Sequence, residues 1–150
     1  MIEVRSEVAI DRPADEVFAV LADAENNPSW QGGMERCEWV TEPPIREGSV
    51  YEQEARMMGK PITSTFEVID LEPGRSITIR TIESTFPIEV TRSVEPRGDD
   101  SCVARAYVTG DPSGVFKLAA PVLRKMVERS VRADYRRLRR HLEGSGPTVR

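Results

Sequence analysis

The sequence predicts an α+β domain. A curved, seven-stranded antiparallel sheet wraps around one long C-terminal helix, with two short helices between the first two strands. Three observations lead there. Residues 2–10 alternate apolar and polar, residues 34–110 break into strand-like runs punctuated by turn signals, and Pro121 to Glu143 carry an apolar stripe at helical spacing.

Ile2, Val4, Val8 and Ile10 share one parity of the first strand, opposite Glu3, Arg5 and Glu7. That is a strand with one wet face. Asp11 is an expected N-cap, Pro13 suits a first helical turn, and Asp15 and Glu16 favour the positive helix end. Val17, Phe18 and Leu21 give this helix its apolar side. Asn26-Asn27-Pro28-Ser29 breaks it and Trp30 follows, completing a short helix pair. Strands are then expected over 34–42, 50–58, 62–71, 75–83, 86–95 and 101–110. The breaks between them are Pro43-Pro44 with Glu47-Gly48-Ser49, Gly59-Lys60-Pro61, Glu72-Pro73-Gly74, and Pro96 to Asp100. Short connections imply antiparallel neighbours. Asp111 to Gly114 open the last segment, and Pro121 fits the first turn of its long piece. Phe116, Ala120, Leu123, Val127, Val131, Leu138 and Leu142 fall on one side; Lys125, Arg129, Arg132, Arg136, Arg139 and Arg140 fall on the other. Gly144 to Pro147 stop the helix, so residues 1–143 read as one domain and 144–150 as a flexible tail.

Composition narrows the chemistry. The chain has 150 residues, 39% hydrophobic and 31% charged, which suits one globular core. No apolar run approaches the ~20 residues of a membrane span. Glu3, Arg5 and Glu7 interrupt the start where an export signal would be apolar, so a cytoplasmic protein is expected. His141 is the single histidine, and Cys37 and Cys102 are the only cysteines. A Ser-His-Asp relay, a Cys-His dyad or a histidine-rich metal site is not easily assembled from that inventory, and no metal or cofactor is expected. The cysteines are expected as free thiols. Residues 1–110 hold 11 Lys/Arg and 21 Asp/Glu, net −10; residues 111–150 hold 10 and 4, net +6; the sum is the chain's −4. The basic half is either a solvated helix face or a docking face.

A sheet curled around one helix leaves a tunnel wherever side chains are too small to meet. At this point the chain resembles the START-like (SRPBCC, helix-grip) superfamily. IDRPADEVFAVLADAENNPSW is similar to its opening. REGSVYEQEARMMGKPI, FEVIDLEPGRSITIRT and LAAPVLRKMVERSVRADYRRLRRHLE fit its polyketide cyclase/dehydrase-like branch. The resemblance covers roughly residues 2–143. It implies a deep, largely apolar cavity between sheet and helix that takes lipids, sterols, polyketides or plant hormones. It carries no universal catalytic motif, so the catalytic residues are unknown.

Strand parity nominates the cavity lining. The third strand offers Tyr51, Gln53, Ala55 and Met57, and the fourth offers Ser64, Phe66 and Val68. Next come Ile77, Ile79 and Thr81, then Phe86, Ile88, Val90, Arg92 and Val94, then Cys102, Ala104, Ala106 and Val108. On the second strand the Cys37-Trp39 parity is preferred over Arg36-Val40. Trp30, and Leu123, Met126, Val127 and Asp134 of the long helix, complete the list. Small Ala104 and Ala106 favour empty space. Arg92 stands on an apolar parity, and a buried guanidinium needs a partner or a route to water. Asp134 is the expected helical partner. Arg92 either anchors a ligand oxygen or serves a structural ion pair. Trp30 either gates the mouth or packs beneath the short helices. Tyr51 and Gln53 either meet a ligand or satisfy neighbours, and His141 suits the negative end of the helix.

The first reading is a binder of a small hydrophobic ligand, aromatic, polyketide or lipid-like. The second is a polyketide cyclase/aromatase-type enzyme using Arg92, Tyr51, Gln53 and Asp134. The third is an interaction module using the basic helix face. No nucleic-acid partner is expected, since no aromatic residue interleaves that face. A monomer and a homodimer both fit.

Overall fold

The structure, a computed structural model, describes residues 1–57, 59–83, 87–111 and 117–144, with Met57 and Glu83 described through their backbone only. Phe86, Phe116 and the tail from Ser145 onward lie outside the described residues, as does the Met57 side chain. The elements are β1 (Ile2–Ile10), α1 (Ala14–Ala22), a 3₁₀ helix (Ala24–Ser29), β2 (Met34–Trp39), β3 (Val50–Met57), β4 (Lys60–Glu72), β5 (Ser76–Glu83), β6 (Ile88–Pro96), β7 (Cys102–Gly110) and α2 (Ala120–Gly144). The seven strands form one sheet in the order β1-β7-β6-β5-β4-β3-β2. Every neighbouring pair is antiparallel. This is the α+β arrangement expected from the order of elements, a sheet gripping a C-terminal helix.

Three local expectations change. Pro13, not Asp11, caps α1, and without a side-chain hydrogen bond. The Asp11 N–H instead donates to Glu143 Oε2 at 2.8 Å, tying the end of β1 to the end of α2. α1 ends at extended Asp23, and Asn26 to Ser29 belong to the 3₁₀ helix, whose N-cap Asp23 accepts from the Glu25 N–H. Lys60-Pro61 belongs to β4 rather than to a turn, because Lys60 already pairs with Met57, with Gly59 at φ 80° in the reversal. β4 is therefore 13 residues long, and its pairing with β5 shifts register between Thr65 and Phe66 and between Val68 and Asp70. Bulges of this kind bend a strand and raise its twist, which curls the sheet.

α2 is pinned along its length. Near its start, Leu123, Val127 and Val131 pack on Ile2, Val4 and Val108. Near its end, Tyr135, Leu138 and Leu142 join the main core with Ile10, Val17, Leu21, Ala104 and Ala106. Arg12 Nη2 donates to the Glu143 carbonyl at 3.1 Å, placing a cation on the negative helix terminus. Leu138 is 0% exposed. Burying a leucine in full is worth about 1.5–3 kcal/mol.

Candidate functional site

Inward-facing side chains fall into two zones. Tyr51, Phe66, Val68, Ile77, Ile79, Val94, Ala104 and Ala106 are buried. Met34, Gln53, Ala55, Ile62, Thr81, Ile88 and Val90 point the same way along their strands yet are only half-buried, as are Leu123, Val127 and Val131 of α2. α2 lies along β1 rather than across β3 to β5. Among the described residues the concave face is thus less covered toward Ala55, Ile62 and Ile88 and sealed toward Ala104.

Arg92 stands at the sealed end. On the sheet it pairs with Ala106 on one side and Ile77 on the other, and the small Ala106 leaves volume for a guanidinium. Its Nη1 donates to the Leu21 carbonyl and to Asn27 Oδ1, both at 3.0 Å. Leu21 lies in the last turn of α1, where carbonyls lack intrahelical partners, so Arg92 caps that helix from the sheet. The guanidinium carbon also lies 4.9 Å from the centre of the Trp30 ring. The expected pairing with Asp134 does not form. Asp134 Oδ1 instead accepts from Arg137 Nη2 at 2.7 Å and from the Gly32 N–H at 2.9 Å. Three residues of spacing put Arg137 beside Asp134 on the helix, and a Cβ at Gly32 would stand 2.1 Å from Arg137 Nη2. Among the described residues Arg92 therefore has no carboxylate partner, and its Nη2 and Nε have no acceptor.

The groups around Arg92 are polar and tightly enclosed. Asn27 and Trp30 are 0% and 1% exposed, and among the described residues neither Asn27 Nδ2 nor Trp30 Nε1 has a hydrogen-bond partner. Asn27 also lies close enough to the Cys37 thiol and the Tyr51 hydroxyl to favour their anions, but burial dominates. It pushes the Cys37 pKa up to about 11 and that of Tyr51 well above the ordinary phenol value, against the opposing pull of Arg92. Tyr135 is raised to about 12 for the same reason. Burial likewise raises Asp134, opposed by its bonds to Gly32 and Arg137. Tyr51 stacks on Phe66 (5.3 Å between centres, 10°) and meets Trp39 edge-on at 5.2 Å.

Trp30 packs edge-to-face on Tyr135 at 5.4 Å and is no gate. The preferred parity of β2 is the observed one: Cys37 is buried and the half-buried Trp39 packs against the core. Trp39 Nε1 donates to Asp23 Oδ1 at 2.8 Å. Thr81 Oγ1 bonds both the N–H and the carbonyl of Ile88, so its hydroxyl serves the sheet. Met126, expected in the lining, is 40% exposed on α2. Asn27, Tyr135, Met34 and Ile62 belong to the site but were not expected there. A buried arginine without a carboxylate needs neutral acceptors, and that requirement was the signal pointing to Asn27. Two other concavities open outside the grip. One of about 630 Å³ is lined by Arg5, Thr91, Ser93, Tyr107, Arg132 and Arg136 among others. One of about 490 Å³ lies between Asp23 and Ile45. Neither is the expected internal cavity. Among the described residues no helix is long and apolar enough to cross a membrane.

Comparison with known proteins agrees with this architecture. The di-domain aromatase/cyclase BexL superposes with a TM-score of 0.79 at 22% identity, covering 95% of this chain and 47% of that one. The chain thus spans about half the length of that protein. The Zhui aromatase/cyclase from Streptomyces sp. R1128 gives 0.75 at 22% identity, covering 96% and 97% of the two chains. A START superfamily protein from Mycobacterium smegmatis gives 0.76 at 17% identity, with 97% of each covered. A search of curated proteins finds no match. The family described as polyketide cyclase / dehydrase and lipid transport matches residues 1–143, and the chain belongs to it.

Proposed function

We propose that the half-open concave face binds a small hydrophobic ligand, aromatic, polyketide or lipid-like, with Arg92 fixing an oxygen at its inner end. The observation carrying this is the state of Arg92. Its residue is 6% exposed, one edge of the guanidinium is held by two neutral oxygens, and the other edge has no acceptor among the described residues. A charge that costly to bury is suited to a ligand acid or ketone oxygen. Ala55, Ile62, Ile88 and Val127 supply apolar walls, the usual makeup of a small-molecule site. Family membership supports the same class of ligand.

A cyclase reading rests on one further feature. The buried Tyr51 hydroxyl lies within the field of Arg92, so a ketone held by Arg92 would have a hydrogen-bond donor in the same enclosed zone. Two of the similar structures are named aromatase/cyclases.

Native mass spectrometry of the purified protein tests occupancy. A thermal-shift series then compares aromatic acids such as 2-naphthoate with neutral isosteres such as 2-naphthamide. A ligand of the folded state raises the melting temperature, and the acids should raise it more. A broad apolar series with no shift would remove the reading.

A further inference from the structure

The sequence shows one apolar stripe on the C-terminal helix, which the sheet uses. The structure shows a second. Leu118, just before α2, and Val122 and Met126 within it follow one another four residues apart, and they are 92%, 62% and 40% exposed. Val122 and Met126 lie on a side of the helix turned about 100° from Leu123 and Val127, which pack toward Val4 and Val108. Isolated exposed apolar residues are ordinary, but two on successive turns of one helix, with a third exposed just before it, form a patch. The charges around them are mostly positive. Lys117, Arg124, Lys125, Arg129, Arg132 and Arg136 are all exposed, and the only acid among residues 117–136 besides buried Asp134 is Glu128, about 4.0 Å from Arg124 and Arg132.

We propose that this face of α2 docks on an anionic lipid surface. Leu118, Val122 and Met126 enter the boundary between headgroups and acyl chains, and the surrounding cations meet the lipid charge. Complementarity favours lipid over a second copy of the chain. A two-fold pairing through this stripe would bring the same six cations against themselves, whereas an anionic bilayer neutralises them. Leu123 and Val127 present another side of the same turns to the concave face. An apolar ligand would then pass between bilayer and groove along one helix, a purpose that rests on the ligand reading; the docking does not.

The full chain is sedimented with vesicles of phosphatidylglycerol and phosphatidylcholine, and with phosphatidylcholine alone. Binding should be confined to the anionic vesicles and should weaken as salt shortens the reach of the charges. Leu118→Ser combined with Val122→Ser should weaken it about tenfold or more. Lys125→Glu or Arg129→Glu should each weaken it about fivefold or more. All four positions are exposed, and circular dichroism melts check that the variants fold. Equal partition onto neutral and anionic vesicles, or variants that bind like the parent, would overturn the proposal. So would light scattering that shows a parent dimer split by the Leu118→Ser/Val122→Ser change, since the stripe would then face a second copy. An Ala55→Phe variant, altered in the groove, should bind vesicles as the parent does, so failure of the ligand reading and failure of docking are separable.

Discussion

Arg92 lies against the Trp30 ring with its Nη1 held by Leu21 and Asn27, while the acid expected to pair with it, Asp134, is bound to Arg137 and Gly32. The arrangement ties three separate segments to one guanidinium: the end of α1, the 3₁₀ helix and β6. Among the described residues it also leaves a buried positive charge with no hydrogen-bonded carboxylate, while Asp134 acts on it through space.

Replacing Arg92 with methionine should therefore have two opposed effects on stability. The Leu21 carbonyl and Asn27 Oδ1 lose their donor, at about 1–3 kcal/mol for each acceptor left unpaired. Relief from burying a guanidinium offsets part of that. The expected net loss is about 1–3 kcal/mol by urea denaturation. The ligand effect should be sharper. Binding of 2-naphthoate should fall far more than binding of 2-naphthamide. An equal loss for both would reduce Arg92 to a helix cap.

Much of this was readable from residue order. Alternation in β1 and β7 placed the inward parity correctly, and Arg92 was singled out because its neighbours Val90 and Val94 are apolar. What failed was pairing across the fold. Asn27 stands 65 residues from Arg92, and its use as an acceptor depends on where the 3₁₀ helix lands, which no local pattern specifies. A helical projection nominates Asp134 but cannot show Gly32 approaching from another segment. The exposure of Met126 has a related cause: the angular position of a residue on a helix does not say which turns the sheet covers, and Val122 and Met126 precede the stretch where α2 enters the main core at Val131 and Tyr135.

Asp134 should leave a signature in the pH dependence of stability. Burial raises its folded pKa above the ordinary 3.8. Between those values the folded state holds the proton more tightly than the unfolded chain, so this group's contribution declines as pH rises and levels off above the folded pKa. Asp134→Asn keeps an oxygen for the Gly32 N–H and removes the titration. The stability difference, parent minus variant, should fall as pH increases from the ordinary aspartate range. A difference that instead rises with pH would mean the Arg137 pair outweighs burial.

The two thiols should be inert in the native protein. Cys37 and Cys102 are free and buried, and burial raises both pKa values, Cys37 to about 11. The thiolate is the reactive form, so a disulfide reagent near pH 8 should modify neither at a rate comparable with the urea-unfolded chain. Rapid modification of Cys37 in the native state would mean that the Asn27 cluster opens readily.

The contrast between the sealed and open zones can be tested with two alanines. Ala104 is 0% exposed, flanked on the sheet by Val8 and Val94. Ala104→Phe must displace packed neighbours and should lose about 1–3 kcal/mol or more. Ala55 is half-buried, opposite Ile62 on β4 and Met34 on β2. A phenylalanine there extends into open space, so stability should change by less than about 1 kcal/mol. The same ring would occupy the volume assigned to the ligand, and the thermal shift given by 2-naphthoate should disappear. Comparable destabilisation by both substitutions would mean that the concave face is packed along its whole length, and the carrier and cyclase readings would lose their site together.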